Sequence, residues 1–228
     1  MPELAFIQKP QALIFDMDGV ILDSNPLHRV AWDQYNRQHG VEMTEAMYRT
    51  MYGKRNDEII RGFLGNHLTD AEVFEHGAAK ERLYRQLMTP QVESALLPGL
   101  ADFIRRQRDF PMAVATNGER ANVDMALNGT GLAQFFEVIV TGADVVRPKP
   151  HPDIYLKAAE LLHVAPENCI VFEDSHAGVQ AGLSAGMRVV GISTTHEDLK
   201  GVELIVKDFK DPKLQACVQL SWNRQGDK

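Results

Sequence analysis

Asp16 and Asp18 stand two positions apart, directly after four apolar residues, Ala12, Leu13, Ile14 and Phe15. A buried-strand pattern therefore ends in two carboxylates that bracket Met17 and are followed by Gly19. On a continuing strand, residues i and i+2 share a face. Carboxylates that close disfavour each other's ionisation unless a cation is present. The pair suits one charged nucleophile beside one protonated acid, or a hard divalent ion held by oxygens. The competing explanation is an acidic turn that closes a strand, with Gly19 allowing the bend.

The same pattern recurs twice. Met112 to Ala115 runs into Thr116-Asn117-Gly118, and Cys169 to Phe172 runs into Glu173-Asp174-Ser175. Thr116 offers a hydroxyl, and the backbone N–H groups of Asn117 and Gly118 can bind a phosphate oxygen at the start of the next helix. Taken alone, the threonine is better explained as a plain N-cap. Glu173 and Asp174 can complete an Mg2+ site directly or through water, whereas Asp174 or Ser175 could instead cap the helix that follows. Lys149 lies in Arg147-Pro148-Lys149-Pro150, where the prolines hold the chain extended and position a cation able to neutralise developing charge. All four segments fall in chain order at the ends or exits of alternating strands, which in an open α/β sheet form the ligand crevice.

The elements that must position these groups follow from hydrophobic periodicity. After the strand at 12–15, the β pattern does not return until residue 112, and the interval is too long for one crossover helix. It reads as amphipathic helices. One spans 25–40 with Gly40 as a stop, and another is marked by Ile59, Ile60, Phe63 and Leu64 before Gly65. A third is opened by a Thr69/Glu72 capping box and reaches Met88. From Pro98-Gly99 onward, strands at 112–116, 137–141, 169–173, 188–192 and 202–206 alternate with helices at 100–108, 119–129, 152–163 and 175–185. That spacing calls for a parallel sheet with right-handed crossovers. Gly178 and Gly182 fit close packing of the last of these helices on the sheet, and Gly186 fits its C-terminal cap. The expected architecture is a doubly wound α/β core of five or six strands, over 1–23 plus 94–228, with a helical cap inserted at 24–93.

With 228 residues and 44% hydrophobic content, the chain can bury a sizeable core. Its net charge of −7 argues against nucleic acid as a main partner, since phosphate backbones need a basic face. Any anionic ligand must be met by locally placed cations, with Lys149 and the Lys54-Arg55 pair as candidates. Cys169 and Cys217 make neither a metal pair nor a disulfide framework, which fits a reducing compartment. Met1-Pro2-Glu3 lacks the basic start of a signal peptide, and no apolar run approaches the roughly 20 residues that span a bilayer. A cytoplasmic protein is expected, with a monomer plausible and the oligomeric state open.

The segments DMDGVILDS, VATNG, RPKPHPDIY and FEDSHAGVQAG resemble the four motifs of the haloacid dehalogenase-like superfamily. The resemblance is strongest to the branch that holds β-phosphoglucomutase and sugar-phosphate phosphatases, whose small helical cap is inserted after the first motif. It implies that Asp16 is the nucleophile and forms an aspartyl-phosphate, with Asp18 as acid and then base. It also implies Mg2+ held by Asp16, the Asp18 backbone carbonyl and Asp174, with Glu173 in support, and Thr116 and Lys149 on the phosphoryl oxygens. Asp18 favours ester chemistry, because the dehalogenases lack that second aspartate and P-type ATPases carry threonine there.

Within that branch, the cap separates the expected phosphatase of small sugar or polyol phosphates from a mutase. Lys54, Arg55 and Asn56 are the specificity candidates. Aligned on Gly53, the cap loop places Tyr52 and Asn56 where the mutase has lysine and arginine, and Glu119 falls where it has lysine. His28 matches a histidine that positions the acid–base aspartate in the mutase, which favours that alternative. The remaining alternative is a catalytically silent phosphate-binding protein.

Overall fold

Residues 11–51 and 54–219 are described in a computed structural model. Tyr52 and Gly53, on which the cap-loop alignment rests, and Met1-Pro2-Glu3 lie outside the described residues. The strands β1 (Ala12–Phe15), β2 (Met112–Thr116), β3 (Val138–Thr141), β4 (Cys169–Glu173), β5 (Arg188–Ile192) and β6 (Leu204–Val206) form one six-stranded sheet. They are all parallel, in the order β3-β2-β1-β4-β5-β6. The chain winds outward from β1 to β3 and then restarts at β4 on the other side. The switch point therefore lies where β1 sits between β2 and β4, the place at which doubly wound sheets bind ligands.

Strand side chains alternate between two apolar layers. Leu13, Phe15, Met112, Val114, Ile170 and Phe172 join one, with α5 (Leu100–Arg106), α6 (Arg120–Gly129) and α9 (Pro212–Gln219) packed against them. Ala12, Ile14, Ala113, Ala115 and Val171 join the other, with α7 (Asp153–Leu161) and α8 (His176–Ser184). Burial on both faces explains why the central strands read as continuous apolar runs rather than alternating ones. Phe15 stacks on Phe172 at 4.6 Å between ring centroids and meets Phe136 edge-on at 5.7 Å, directly beneath the turn that carries Asp16 and Asp18. Gly182 lets α8 close on the sheet, since a Cβ there would lie 2.8 Å from Val189 Cγ2.

Between β1 and β2 run α1 (Asn25–Gln38), α2 (Glu45–Met51), α3 (Asn56–Leu64) and α4 (Asp70–Met88). Trp32, Tyr35, Tyr48, Met51, Ile59, Ile60 and Val73 give these helices an apolar cluster of their own. The capping box forms as expected: the Thr69 hydroxyl accepts from Glu72 N–H, and the Glu72 carboxylate accepts from Thr69 N–H at 2.8 Å. Two differences have local causes. The short helix α2 was not expected, because seven residues are too few to show a helical period; Thr44 starts it by accepting from Met47 N–H at 3.3 Å. The final strand pairs only over Leu204–Val206, at the edge of the sheet, where one neighbour is missing. Both cysteines are free thiols. No helix of the described residues is long and apolar enough to cross a membrane.

Truncating Phe15 removes the ring on which Phe172 and Phe136 rest. Phe15→Ala is expected to cost about 3–5 kcal/mol, seen as a lower urea midpoint; an unchanged midpoint would refute its central place in the core.

Candidate active site

Asp16 emerges one residue beyond β1, fixed by its N–H donating to the Phe172 carbonyl at 3.0 Å. Gly19, at φ +76°, turns the chain, and a Cβ there would lie 1.9 Å from Asp174 Oδ2. Only glycine allows this backbone to approach the carboxylate so closely. The strand stops at Phe15 instead of continuing through both aspartates, yet Asp16 and Asp18 reach the same cavity while Met17 between them is buried in the core.

Lys149 bridges the site. Its ammonium donates to Asp16 Oδ1 at 2.8 Å and to Glu173 Oε1 at 2.6 Å. Glu173 is held in turn by Tyr155 OH at 2.7 Å, by the N–H groups of Asp174 and Ser175 at 2.9 and 3.0 Å, and by the Ser175 hydroxyl at 3.1 Å. A Cβ at Gly178 would fall 1.7 Å from Glu173 Oε1, so the first turn of α8 accommodates the carboxylate only because that residue is glycine. Ser175 caps α8 by accepting from Gly178 N–H at 3.0 Å. That leaves Asp174 for the site, where its Oδ2 accepts from Asn25, Thr194 and Thr195.

Three acids are buried together, and the one lysine among them pairs with two, Asp16 and Glu173. Burial pushes the Asp16 carboxyl up to about 7, with Glu173 and Asp18 adding to the rise and Lys149 opposing it. Asp174 is driven well above its ordinary value by burial and then by the charges of Glu173 and Asp16. For Lys149, burial acts downward, but the two carboxylates outweigh it and hold the ammonium above its usual range. Oxygens of Asp16, Glu173 and Asp174 lie within 4.8 Å of one another. This excess of buried negative charge on hard oxygen donors fits a divalent cation of the Mg2+ type.

Asp18 accepts from the Ser24 hydroxyl at 2.6 Å and lies 3.1 Å from His28 Nε2. Burial acts to raise its pKa, but the His28 ring and the hydrogen bonds from His28 and Ser24 outweigh it, so Asp18 stays below its ordinary value. His28 stacks on Tyr84 at 3.7 Å, and its Nδ1 lies 2.9 Å from Lys80 Nζ. An ammonium only donates, so Nδ1 accepts and the ring proton sits on Nε2, where it donates to Asp18. Lys80 also donates to Glu81 Oε1 at 2.7 Å; Glu81 accepts further from Asn56 at 2.9 Å and Asn122 at 2.7 Å. Both charged residues are almost fully buried. Burial would raise Glu81, but Lys80, His28 and the hydrogen bonds from Lys80 and Asn122 bring it down to about 2.

Asp16, Asp18, Lys149, His28, Lys80 and Glu81 line a cavity of about 80 Å3 between the sheet end and α1–α4, whereas Glu173 and Asp174 are not among its lining residues. Asp16, Asp18, Thr116, Asn117, Gly118, Lys149, His28, Lys54 and Asn56, all candidates from sequence, contribute to it. Thr116 is not a helix cap, since Glu119 occupies that position before α6. The Asn117 side chain ties the β2 exit to the lysine loop, accepting from Lys149 N–H at 3.2 Å, and Gly118 N–H donates to the Thr116 hydroxyl at 3.1 Å. Arg55 departs from expectation: it is not among the lining residues, its guanidinium reaching the Gly142 carbonyl at 3.4 Å and Asp57 at 3.2 Å. Lys80, Glu81 and Asn122 escaped sequence reasoning. One signal was available: along α4, Val73, Gly77, Tyr84 and Met88 form the buried stripe, and Lys80-Glu81 interrupt it where an apolar residue belongs.

A family model described as haloacid dehalogenase-like hydrolase matches residues 10–186. The protein CbbY of Rhodobacter capsulatus is 34% identical over 218 residues, covering 91% of this chain and 95% of its own. Fructose-1-phosphate phosphatase YqaB of Escherichia coli K12 is 34% identical over 182 residues, with 79% and 95% covered. Among solved structures, β-phosphoglucomutase from Clostridium difficile superposes with a TM-score of 0.84 at 27% identity, over 94% of this chain and 97% of that one. Fold, site and relatives together define an enzyme that acts on phosphate esters. The chain belongs to the haloacid dehalogenase-like hydrolase family.

The folded value of Glu81 lies below its ordinary 4.5, so its carboxylate stabilises the fold fully above that pH and loses this contribution as the pH falls toward 2. Wild type is expected to exceed Glu81→Gln in stability by about 3 kcal/mol at neutral pH, with the difference shrinking below pH 4.5 in urea titrations. A gap independent of pH would contradict the buried ionised state.

Proposed function

We propose that the chain is a Mg2+-dependent phosphatase of small sugar or polyol phosphates, with Asp16 as nucleophile. Asp16 attacks phosphorus, and the bond to the leaving alcohol breaks as Asp18, ionised beside His28 before substrate binds and protonated when the phosphate ester brings its negative charge into the cavity, gives that oxygen its proton. Asp18 then takes a proton from water, which attacks the aspartyl-phosphate, releases inorganic phosphate and restores Asp16. Lys149 and Thr116 hold the phosphoryl oxygens and offset the charge that builds on them. Asp16, Asp174 and the Asp18 carbonyl are the ligands assigned to Mg2+, which when bound neutralises the phosphoryl group against the surrounding acids. Glu173 acts through Lys149 by holding its ammonium toward Asp16.

Residues 24–93 form the proposed cap on a core of 1–23 plus 94–228, with hinges at Asp23-Ser24 and 94–98. The two connections run side by side, Asp23 N–H donating to Ala95 O at 2.8 Å and Leu97 N–H to Ile21 O at 3.0 Å, which suits a shared hinge.

The observation that carries the phosphatase reading is how the lysines lining the cavity are paired. Lys149 serves Asp16 and Glu173, and Lys80 is neutralised by Glu81, so of the described lysines that line the cavity Lys54 alone lacks a carboxylate partner. Arg85 is likewise engaged, by Glu119 at 3.1 Å and Asn122 at 2.8 Å. A mutase needs strong cations for the distal phosphate of a bisphosphate; this cavity suits a neutral, hydroxyl-bearing body. The mutase reading draws on the contact between His28 and Asp18, which matches the arrangement implied by the resemblance.

A screen of sugar and polyol phosphates should show Mg2+-dependent release of inorganic phosphate. Asp16→Asn should abolish it, and Asp18→Asn should retain only slow labelling of Asp16 by an activated aryl phosphate. Conversion of β-glucose 1-phosphate to an isomer with little free phosphate would establish the mutase instead, and absence of any turnover would leave a binding protein. Freeing the Lys80 charge in Glu81→Gln should tighten competitive inhibition by sugar bisphosphates relative to monophosphates by about tenfold, or about 1.4 kcal/mol; an unchanged ratio would remove Glu81 from substrate selection.

A further inference from the structure

A second group of ligating side chains lies outside the cavity. His176 opens α8, immediately after Ser175, and neither it nor its neighbours in this group line the site at Asp16. The loop that leaves β5 returns beside it, carrying His196 and Asp198. His176 Nε2 lies 3.3 Å from Asp198 Oδ1, and the rings of His176 and His196 stand 4.2 Å apart between centroids, inclined at 33°. One nitrogen from each ring and one carboxylate oxygen all fall within 4.8 Å of each other.

A histidine–carboxylate ion pair accounts for His176 and Asp198 but not for the second imidazole, which brings no opposite charge. Three ligand atoms converging from two separate segments are what a metal ion requires. Bonds of about 2.0–2.1 Å in a tetrahedral zinc site place neighbouring ligand atoms about 3.3–3.4 Å apart, and the separation of His176 from Asp198 matches that edge. Two imidazoles with one carboxylate suit Zn2+, Ni2+ or Co2+, whereas Mg2+ prefers oxygen alone. His176 and Asp198 also border a surface cavity of about 380 Å3 with Val179, Leu183 and Lys200, which gives an ion access from solvent.

We infer that His176, His196 and Asp198 bind a borderline divalent cation of the Zn2+ class, at a site distinct from the oxygen cluster of Asp16 and Asp174. The ion would clamp the loop after β5 onto the first turn of α8. That loop also carries Thr194 and Thr195, whose hydroxyls donate to Asp174 Oδ2. The clamp therefore joins a peripheral metal to the segment that orients an acid of the main site. It does not depend on whether the enzyme is a phosphatase or a mutase.

Co2+ titrated into the full chain under saturating Mg2+ tests the inference, because nitrogen-ligated cobalt in a low-symmetry site absorbs visible light far more strongly than cobalt in an all-oxygen site. One such site per chain is expected, displaced by Zn2+ and accompanied by a higher melting temperature. His176→Gln and His196→Ala should each weaken binding roughly tenfold or more, while the exposed His151→Ala retains it. His176 and Asp198 have side chains 52% and 74% exposed, so substituting them does not threaten the core, and Asp198→Asn provides a second variant from the loop. Visible absorption and stabilisation that persist in both histidine variants, or a wild type that takes up no Co2+ above the Mg2+ background, would overturn it.

Discussion

The arrangement of the site depends on one buried ammonium. Lys149 lies between Asp16 and Glu173 with almost no access to water, and the desolvation of these three charges is tolerated only because each is paired and hydrogen-bonded. Glu173 meets this requirement through five donors, one of them Lys149 itself. The absent side chain of Gly178 leaves room for its carboxylate, and Asn117 ties the lysine loop to the end of β2. The four segments that carry chemistry are thus mechanically one unit. Displacing the ammonium would leave Asp16 and Glu173 buried without a counter-charge, a costly state.

The helical side of the cavity obeys the same rule with a different result. Lys80 is as deeply buried as Lys149, but its partner Glu81 is its neighbour in sequence, so the pair adds no net charge to the cavity. The proton arrangement of His28 follows from Lys80 on one nitrogen and Asp18 on the other. One buried pair therefore does two things: it sets the tautomer of the ring beside Asp18, and it neutralises the Lys80 ammonium within the cavity wall. Relatives named as a fructose-1-phosphate phosphatase and a β-phosphoglucomutase both match this chain over most of its length. The cavity is lined here by strand-end residues on one side and by groups from α1–α4 and α6 on the other.

Strand ends supply Asp16, Thr116 and Glu173, and the loops beyond them supply Asp174, Thr194 and Thr195. This division gives a rigid floor and an adjustable margin. Asp174 belongs to both, since its position follows β4 while its Oδ2 accepts from the loop after β5 and from Asn25 at the start of α1. Its charge is consequently sensed by core, loop and helical insert together.

Much of this was legible before the fold was known. Strands buried on both faces must be apolar throughout, and for that reason the change from Phe15 to Asp16, or from Phe172 to Glu173 and Asp174, announces a strand end with chemistry on it. The capping box at Thr69 and Glu72 was equally readable, because it is satisfied within one turn. By itself the sequence determined the α/β class, the helical insert and which strand ends carry the polar residues of the cavity. Tertiary structure alone decided how the charges pair: Arg55 turns to Gly142, and Glu81 meets Asn122 across 41 positions while Lys80 meets His28 across 52. The physical reason is range. Strand periodicity and capping depend on neighbours along the chain, whereas the state of a buried charge depends on whichever distant groups the fold places within hydrogen-bond reach.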